Sequence, residues 1–253
     1  MSATARFSRR IGNDLYKVAF PIYRPIYSVF KSYTDRTERR LLASHLSPGS
    51  VVVDAGANIG IYSQFLARCV GQAGMVHSFE PEPENFTRLY AAVAGLANVR
   101  VNQAAVSDKT GESVLYISDD LNVDHRAYPT EGETRRTVSI RSTTLDDYFK
   151  PGERVDFIKM DVQGYEFHAL QGAKRVVQEN PAIKLLLEFW PYGLAQAGTP
   201  WEEFIKVLRG FGMDLVLVKR EGLIPFNDAD VRIDISSYVN LFASRDQSRA
   251  GHN

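Results

Sequence analysis

The chain holds one cysteine, Cys69, in 253 residues, so no internal disulfide can form. Cys69 stands in the apolar run FLARCV and reads as a small buried hydrophobe, not a nucleophile. This usage suits a cytoplasmic protein. No window reaches the roughly 18 apolar residues of a membrane span. The N-terminal stretch lacks the continuous apolar core of a signal peptide. There is no surplus charge: 30 Lys and Arg balance 30 Asp and Glu. Nucleic acid is therefore not expected as an obligatory partner. Internal repeats and low-complexity tracts are absent as well.

What is present is a regular alternation that begins after Pro48-Gly49. SVVVDAG is β-branched and apolar, the pattern of a buried parallel strand. IYSQFLARCVG follows with helical spacing and stops at Gly71. MVHSFEPE is the next strand, Pro83 opens a helix, and VRVNQAAVSD reads as a third strand. That order predicts a doubly wound parallel sheet. GESVLYISD and RRTVSIRSTTLDDYF then read as two extended runs, the second ending in a short helix. The polar stretch between them, 119–136, is long enough to be a functional loop or lid. Alternation resumes with RVDFIKMD as strand, EFHALQGAKRVVQEN as one helix and AIKLLLEFW as strand. PWEEFIKVLRGFG is a helix, and MDLVLVKR and SYVNLFAS complete the sheet.

Ligands of such sheets bind beyond the carboxyl ends of the strands. In VVVDAGANIG, Asp54 precedes Gly56 and Gly60. A dinucleotide fingerprint needs G-x-G-x-x-G, and one of its glycines is missing here. A pyrophosphate would also disfavour a carboxylate nearby. S-adenosylmethionine has no phosphate and carries a positive ammonium and sulfonium. Asp54 suits the ammonium, and Glu80 at the next strand end suits the two ribose hydroxyls.

VVVDAGANIGIYSQFLA, VHSFEPEPENFTRL, QAAVSDKTG, STTLDDYF and VDFIKMDVQGYEFHALQGA together resemble an FkbM-type methyltransferase, from about Leu41 to Ser244. The resemblance implies a class I methyltransferase fold of α/β type. Its sheet is Rossmann-like, mostly parallel and seven-stranded, with the last strand reversed, helices on both faces and a β-hairpin inserted near the active site. It implies S-adenosylmethionine as methyl donor. Asp54, Gly56, Asn58 and Gly60 match the first cofactor motif, and Glu80 the ribose acid. Ser107 and Asp108 match the third strand end, near adenine. Asp161 in KMDVQGYE matches the motif beside the methyl group. The common family form has Glu where this chain has Gln163.

The expected reaction is O-methylation of a carbohydrate or glycosylated natural product. An N-methyltransferase, a nicotinamide oxidoreductase and a noncatalytic binding domain on the same fold are the competing classes. Asp161 and His125 are the candidates for base or acceptor positioning. Asp124 and Arg126, beside His125 in VDHRAY, and Glu188 and Trp190 at the fifth strand end are candidate acceptor contacts. His168 reads as a surface residue of its helix, and Glu166 either as a first-turn surface acid or as part of the site. A divalent metal is compatible with Asp161, Glu188 and His125, but no spacing demands one. The expected organisation is an N-terminal extension over 1–40, a methyltransferase domain over 41–245 and a tail over 246–253. The extension is basic and tyrosine-rich, with Pro21 and Pro25. It reads as a helical segment packed on the domain, or as an arm that caps a cleft or rests on an anionic membrane.

Overall fold

The computed structural model describes residues 15–118, 124–129, 134–235 and 237–245. The tail over 246–253 and parts of the 119–136 loop therefore lie outside the described residues. Two helices come first, α1 (Phe20–Thr34) and α2 (Arg36–His45). The β-branched run then forms β1 (Val51–Ala55), followed by α3 (Ile61–Val70), β2 (Met75–Phe79), α4 (Pro83–Val93) and β3 (Val99–Asn102). Pro83 opens α4, where its missing N–H costs nothing, and the Glu82 carboxylate caps the helix by accepting from Asn85 N. Next come β4 (Ala105–Val106), β5 (Gly111–Ile117), β6 (Arg136–Thr143), α5 (Leu145–Tyr148), β7 (Phe157–Met160), α6 (Glu166–Gln171) and α7 (Lys174–Glu179). The chain ends through β8 (Lys184–Phe189), α8 (Pro191–Gln196), α9 (Trp201–Gly210), β9 (Asp214–Lys219), β10 (Gly222–Pro225) and β11 (Val239–Ser244).

The main sheet runs β3-β2-β1-β7-β8-β11-β9-β10. The first five of these strands pair in parallel. β11 is antiparallel to both β8 and β9, and β10 is antiparallel to β9. The expected seven strands are thus eight, in a mixed sheet. The additional strand is β10, which folds back on β9 across Arg220 and Glu221.

Three local readings also need correction. VRVNQAAVSD is not one strand: β3 stays in the main sheet, whereas β4 joins β5 and β6 in a second sheet of order β4-β6-β5. That second sheet contains the anticipated hairpin, β5 paired antiparallel with β6. The single helix expected over 166–180 is two, α6 and α7, separated at Gly172 and Ala173. The third is α8, a helix directly after Trp190.

β1 shows why both faces of the sheet are covered. Val53 and Ala55 enter one core with Ile158, Leu185, Leu187 and Phe204. Val52 enters the other with Leu42, Leu66, Phe157 and Phe242. Successive strand residues point to opposite faces, so a continuous apolar run requires helices on each side.

Candidate active site

Asp54 ends β1 with no exposed surface. Its Oδ2 accepts from Ser63 Oγ at 2.7 Å, and its Oδ1 lies 3.4 Å from Lys159 Nζ. The carboxylate ties β1 to α3 and β7. Gly56 follows with φ +77, and a Cβ there would sit 1.9 Å from the Asp161 carbonyl oxygen. Only glycine lets the two strand ends approach this closely. Asn58 is itself left-handed at φ 49, a conformation Asn tolerates, and its Oδ1 accepts from Ile59 N. Gly60, at φ +82, is the N-cap of α3.

Glu80 is buried just beyond β2. One carboxylate oxygen accepts from Asn58 N at 2.8 Å and the other from Glu82 N at 3.0 Å. Burial pushes this carboxyl up to about 8 in spite of those two bonds. Each oxygen keeps a lone pair, so it can still accept from a pair of vicinal hydroxyls. The turn residues and Glu80 therefore fit a ribose-bearing cofactor without a phosphate.

Ser107 is buried and donates to Asp108 Oδ1 at 3.2 Å. Asp108 Oδ2 lies 3.3 Å from His168 Nδ1. His168 stacks on Tyr165 with ring centres 4.3 Å apart, and its Nε2 lies 3.3 Å from the Ala197 carbonyl. His168 is thus fixed between β4 and α8, not a solvated helix residue. The stacked pair makes a flat wall beside this strand end.

Acids gather where β7 and β8 end. Asp161 keeps 40% of its side chain exposed. Its Oδ1 accepts from Gln163 Nε2 at 2.8 Å, and the same amide donates to Glu188 Oε2 at 3.2 Å. Gln163 thus bridges two carboxylates, a role that a third acid at this position would not perform. It stands at φ 56 to do so. Glu166 is fully buried, and its Oε1 accepts from Val162 N at 2.8 Å. Burial raises its carboxyl to about 8. Glu188 is raised well above the usual carboxylate range by burial and by the charges of Asp161 and Glu166. The buried Lys159 offsets this negative charge, 4.0 Å from Asp161 Oδ2 and over the Tyr62 ring. The sequence alone assigns no role to Lys159 and Tyr62, and it marks Gln163 only as a departure from the family's common Glu.

The described part of the polar loop, 124–129, reaches this cluster through Tyr128, whose hydroxyl donates to the Gln163 carbonyl at 2.7 Å. His125 is half-buried, and its Nδ1 accepts from Ser118 N at 3.1 Å. Burial lowers its pKa. This tautomer leaves Nε2 with the proton, so the ring offers a donor and not a base. Among the described residues no hydrogen bond or ion pair joins His125 to Asp161.

Asp124 is paired with Arg126 and Arg135 at 2.8 and 2.7 Å. Arg126 is buried and lies over the Trp190 ring. The Trp190 indole is buried too and donates to the Ile235 carbonyl at 3.2 Å. These three residues hold one another. Glu188 alone of that group stays beside Asp161.

The N-terminal helix covers the turn between β1 and α3. Tyr16, Phe20, Tyr23 and Tyr27 form a ladder of edge and stacked rings. They pack on Ile59 and Ile61 of the cofactor turn. Tyr27 comes close enough to Asp161 for that charge, after burial, to raise its phenol. Among the described residues no three His, Cys, Asp or Glu are grouped to hold a metal ion.

Comparison with known proteins agrees with this arrangement. The model of the methyltransferase FkbM domain matches residues 54–211, more than half of the chain. Methyltransferase sdnD of Sordaria araneosa is 26% identical over 206 residues, covering 62% of this chain and 79% of its own. 31-O-demethyl-FK506 methyltransferase FkbM of Streptomyces tacrolimicus is 43% identical over 91 residues, 36% of this chain and 32% of its own. 2-O-methyltransferase NoeI of Sinorhizobium fredii is 23% identical over 193 residues, 70% of this chain and 78% of its own. Among solved structures, a proposed methyltransferase of Streptococcus mutans in complex with SAH superposes with a TM-score of 0.51 at 12% identity. The overlap covers 83% of this chain and 97% of that one, and it shows a shared fold. The chain belongs to the FkbM methyltransferase family and is an S-adenosylmethionine-dependent methyltransferase.

Proposed function

We propose that the protein methylates a hydroxyl of a carbohydrate or glycosylated natural product. The observation that carries this reading is the half-open Asp161 carboxylate at the end of β7, fixed by Gln163 and backed by Glu188. A relative named 2-O-methyltransferase and one named 31-O-demethyl-FK506 methyltransferase support it. The methyltransferase unit runs from about 41 to 245, with the described residues 15–40 packed on it.

S-adenosylmethionine, when bound, supplies a methyl group made electrophilic by positive sulfur. Glu80 would hold its ribose, and Ser107 and Asp108 would lie near adenine. The Gly56 turn would bring the backbone up to the amino-acid end. An alcohol is a poor nucleophile, so a base must take its proton as the new bond forms. Asp161 does this through Oδ2, since Oδ1 is occupied by Gln163. Glu188, raised toward its neutral form, donates a hydrogen bond to a second oxygen of the acceptor. His125 donates through Nε2 and orients the acceptor without taking its proton. The described loop segment 124–129 borders the reacting groups through Tyr128, and α1 covers the Ile59–Ile61 turn. Much of the rate comes from alignment, which contributes about 7–11 kcal/mol in favourable cases.

Asp161→Asn keeps the size of the side chain and removes the base. Single-turnover methylation of the acceptor found by a labelled-methyl screen of glycosides and nucleotide sugars should fall about 10²–10⁴-fold. SAH affinity should stay nearly constant. A near-normal rate would remove Asp161 as base. Loss of wild-type activity in chelator, restored by magnesium, would make it a metal ligand, and an N-methylated product would end the hydroxyl reading.

A further inference from the structure

We infer that the outer face of α1 docks on an anionic lipid surface. The proposal concerns where the enzyme works and does not depend on the acceptor's identity. The helix has two apolar faces. Phe20, Tyr23 and Tyr27 point inward onto the cofactor turn. Ile22, Ile26, Val29 and Tyr33 fall within an arc of about 60° on the opposite side, at about 100° per residue. Their exposures are 58, 59, 72 and 67%. Val18, one turn earlier, is 87% exposed. Isolated surface hydrophobes are ordinary, but a continuous stripe along a helix marks a binding surface.

Charge selects the occupant. Residues 1–40 hold nine Lys and Arg against three Asp and Glu, whereas residues 41–253 hold 21 against 27. A neutral protein thus carries its positive excess at one end, and that end bears the stripe. Lys17, Arg36 and Arg40 are exposed on or next to this segment in sequence, and the exposed Arg220 contacts Tyr33 of the stripe. Two acids of the described segment are engaged: Asp35 by Lys31 and Tyr62, and Glu38 by Asn240. An amphipathic helix flanked by basic residues lies in the plane of an anionic interface, its apolar face buried among the acyl chains. A second copy of the chain is a poorer occupant, because a symmetric contact would bring two basic segments together. No helix among the described residues is long and apolar enough to span a membrane, so the contact is peripheral. The inner face of the same helix covers the Ile59–Ile61 turn, so docking would hold the active-site side of the sheet at the lipid surface.

The test is flotation of the full-length protein with phosphatidylglycerol–phosphatidylcholine vesicles and with phosphatidylcholine alone. Binding should be seen with the first, weaken with salt and be weak with the second. Ile22→Glu with Val29→Glu should reduce partitioning about 100-fold or more, since two buried apolar side chains are lost. SAH binding and the circular dichroism spectrum should be unchanged, which shows that the variant folds. Arg36→Glu with Arg40→Glu should remove the preference for anionic lipid. Three results would overturn the proposal. They are no partitioning of the wild type, equal partitioning of wild type and I22E/V29E, and a wild-type dimer that I22E/V29E converts to monomer with no vesicle binding.

Discussion

Gln163 decides the electrostatics of the candidate site. Its amide donates to Asp161 and Glu188 at once, at a φ that costs an L-residue about 1–2 kcal/mol. Gln163→Glu, which restores the common family residue, would set a third carboxylate between those two. The new acid's folded pKa would be raised, so stability would be lost as pH rises. The variant should match the wild type in acid and lose about 1–3 kcal/mol at alkaline pH, read by urea denaturation. Glu80 and Glu166 impose a similar trend on the native chain. Both carboxyls rise from 4.5 to about 8 on folding. The folded protein therefore binds more protons than the unfolded chain between those values. Its stability should fall as pH climbs from 4.5 toward 8 and level off above that. Glu166→Gln should flatten the slope, and an unchanged slope would show that Glu166 does not titrate in this range. Glu80→Ala should weaken SAH binding by about 1–3 kcal/mol in calorimetry, because it removes the hydrogen bonds proposed to hold the ribose.

At the scale of elements, the β1–α3 turn and the end of β7 are built as one piece. A methyl group at position 56 would meet the Asp161 carbonyl oxygen at 1.9 Å on a backbone that already disfavours L-residues. Gly56→Ala should destabilise the fold by about 2–5 kcal/mol, the sum of left-handed strain and overpacking, and lower the melting temperature accordingly. Little change would mean that the two strand ends can separate. The polar loop is pinned more lightly. Tyr128→Phe removes the donor to the Gln163 carbonyl and should cost about 1 kcal/mol. Amide exchange over 124–129 should accelerate while exchange in β7 stays slow.

For the molecule as a whole, the N-terminal segment belongs to the site's architecture. Tyr16 and Tyr23 are buried against Ile59 and Ile61, and the Tyr16 hydroxyl donates to Asn85 at the start of α4. Lys31 and Tyr62 meet at Asp35, which joins α1, α2 and α3. Tyr23→Ala should lower stability by about 3–5 kcal/mol, as for a buried aromatic in a core. The same substitution should loosen SAH binding, because the cofactor turn loses its cover. A stable variant with native affinity would show that the ladder only decorates the domain.

The alternation of strands and helices, the cofactor class and the acids at the strand ends were all legible in residue order. Each depends on local pattern: two-residue periodicity, a glycine before a helix, or a charge at a fixed place in a motif. The break between β3 and β4 was not legible, because pairing partners distant in sequence decide which sheet a short apolar run joins. The eighth strand was missed for a similar reason, since β10 is a strand by virtue of its register on β9. The fates of Asp124, Arg126 and Trp190 depended on folding even more strongly. A polar loop that looks free in sequence pairs its charges with one another and with an indole at the end of β8. Gln163 looked like a missing acid and became the bridge between Asp161 and Glu188. Motif chemistry is carried by residue type and spacing, whereas hydrogen-bond partners and burial arise only when distant segments converge.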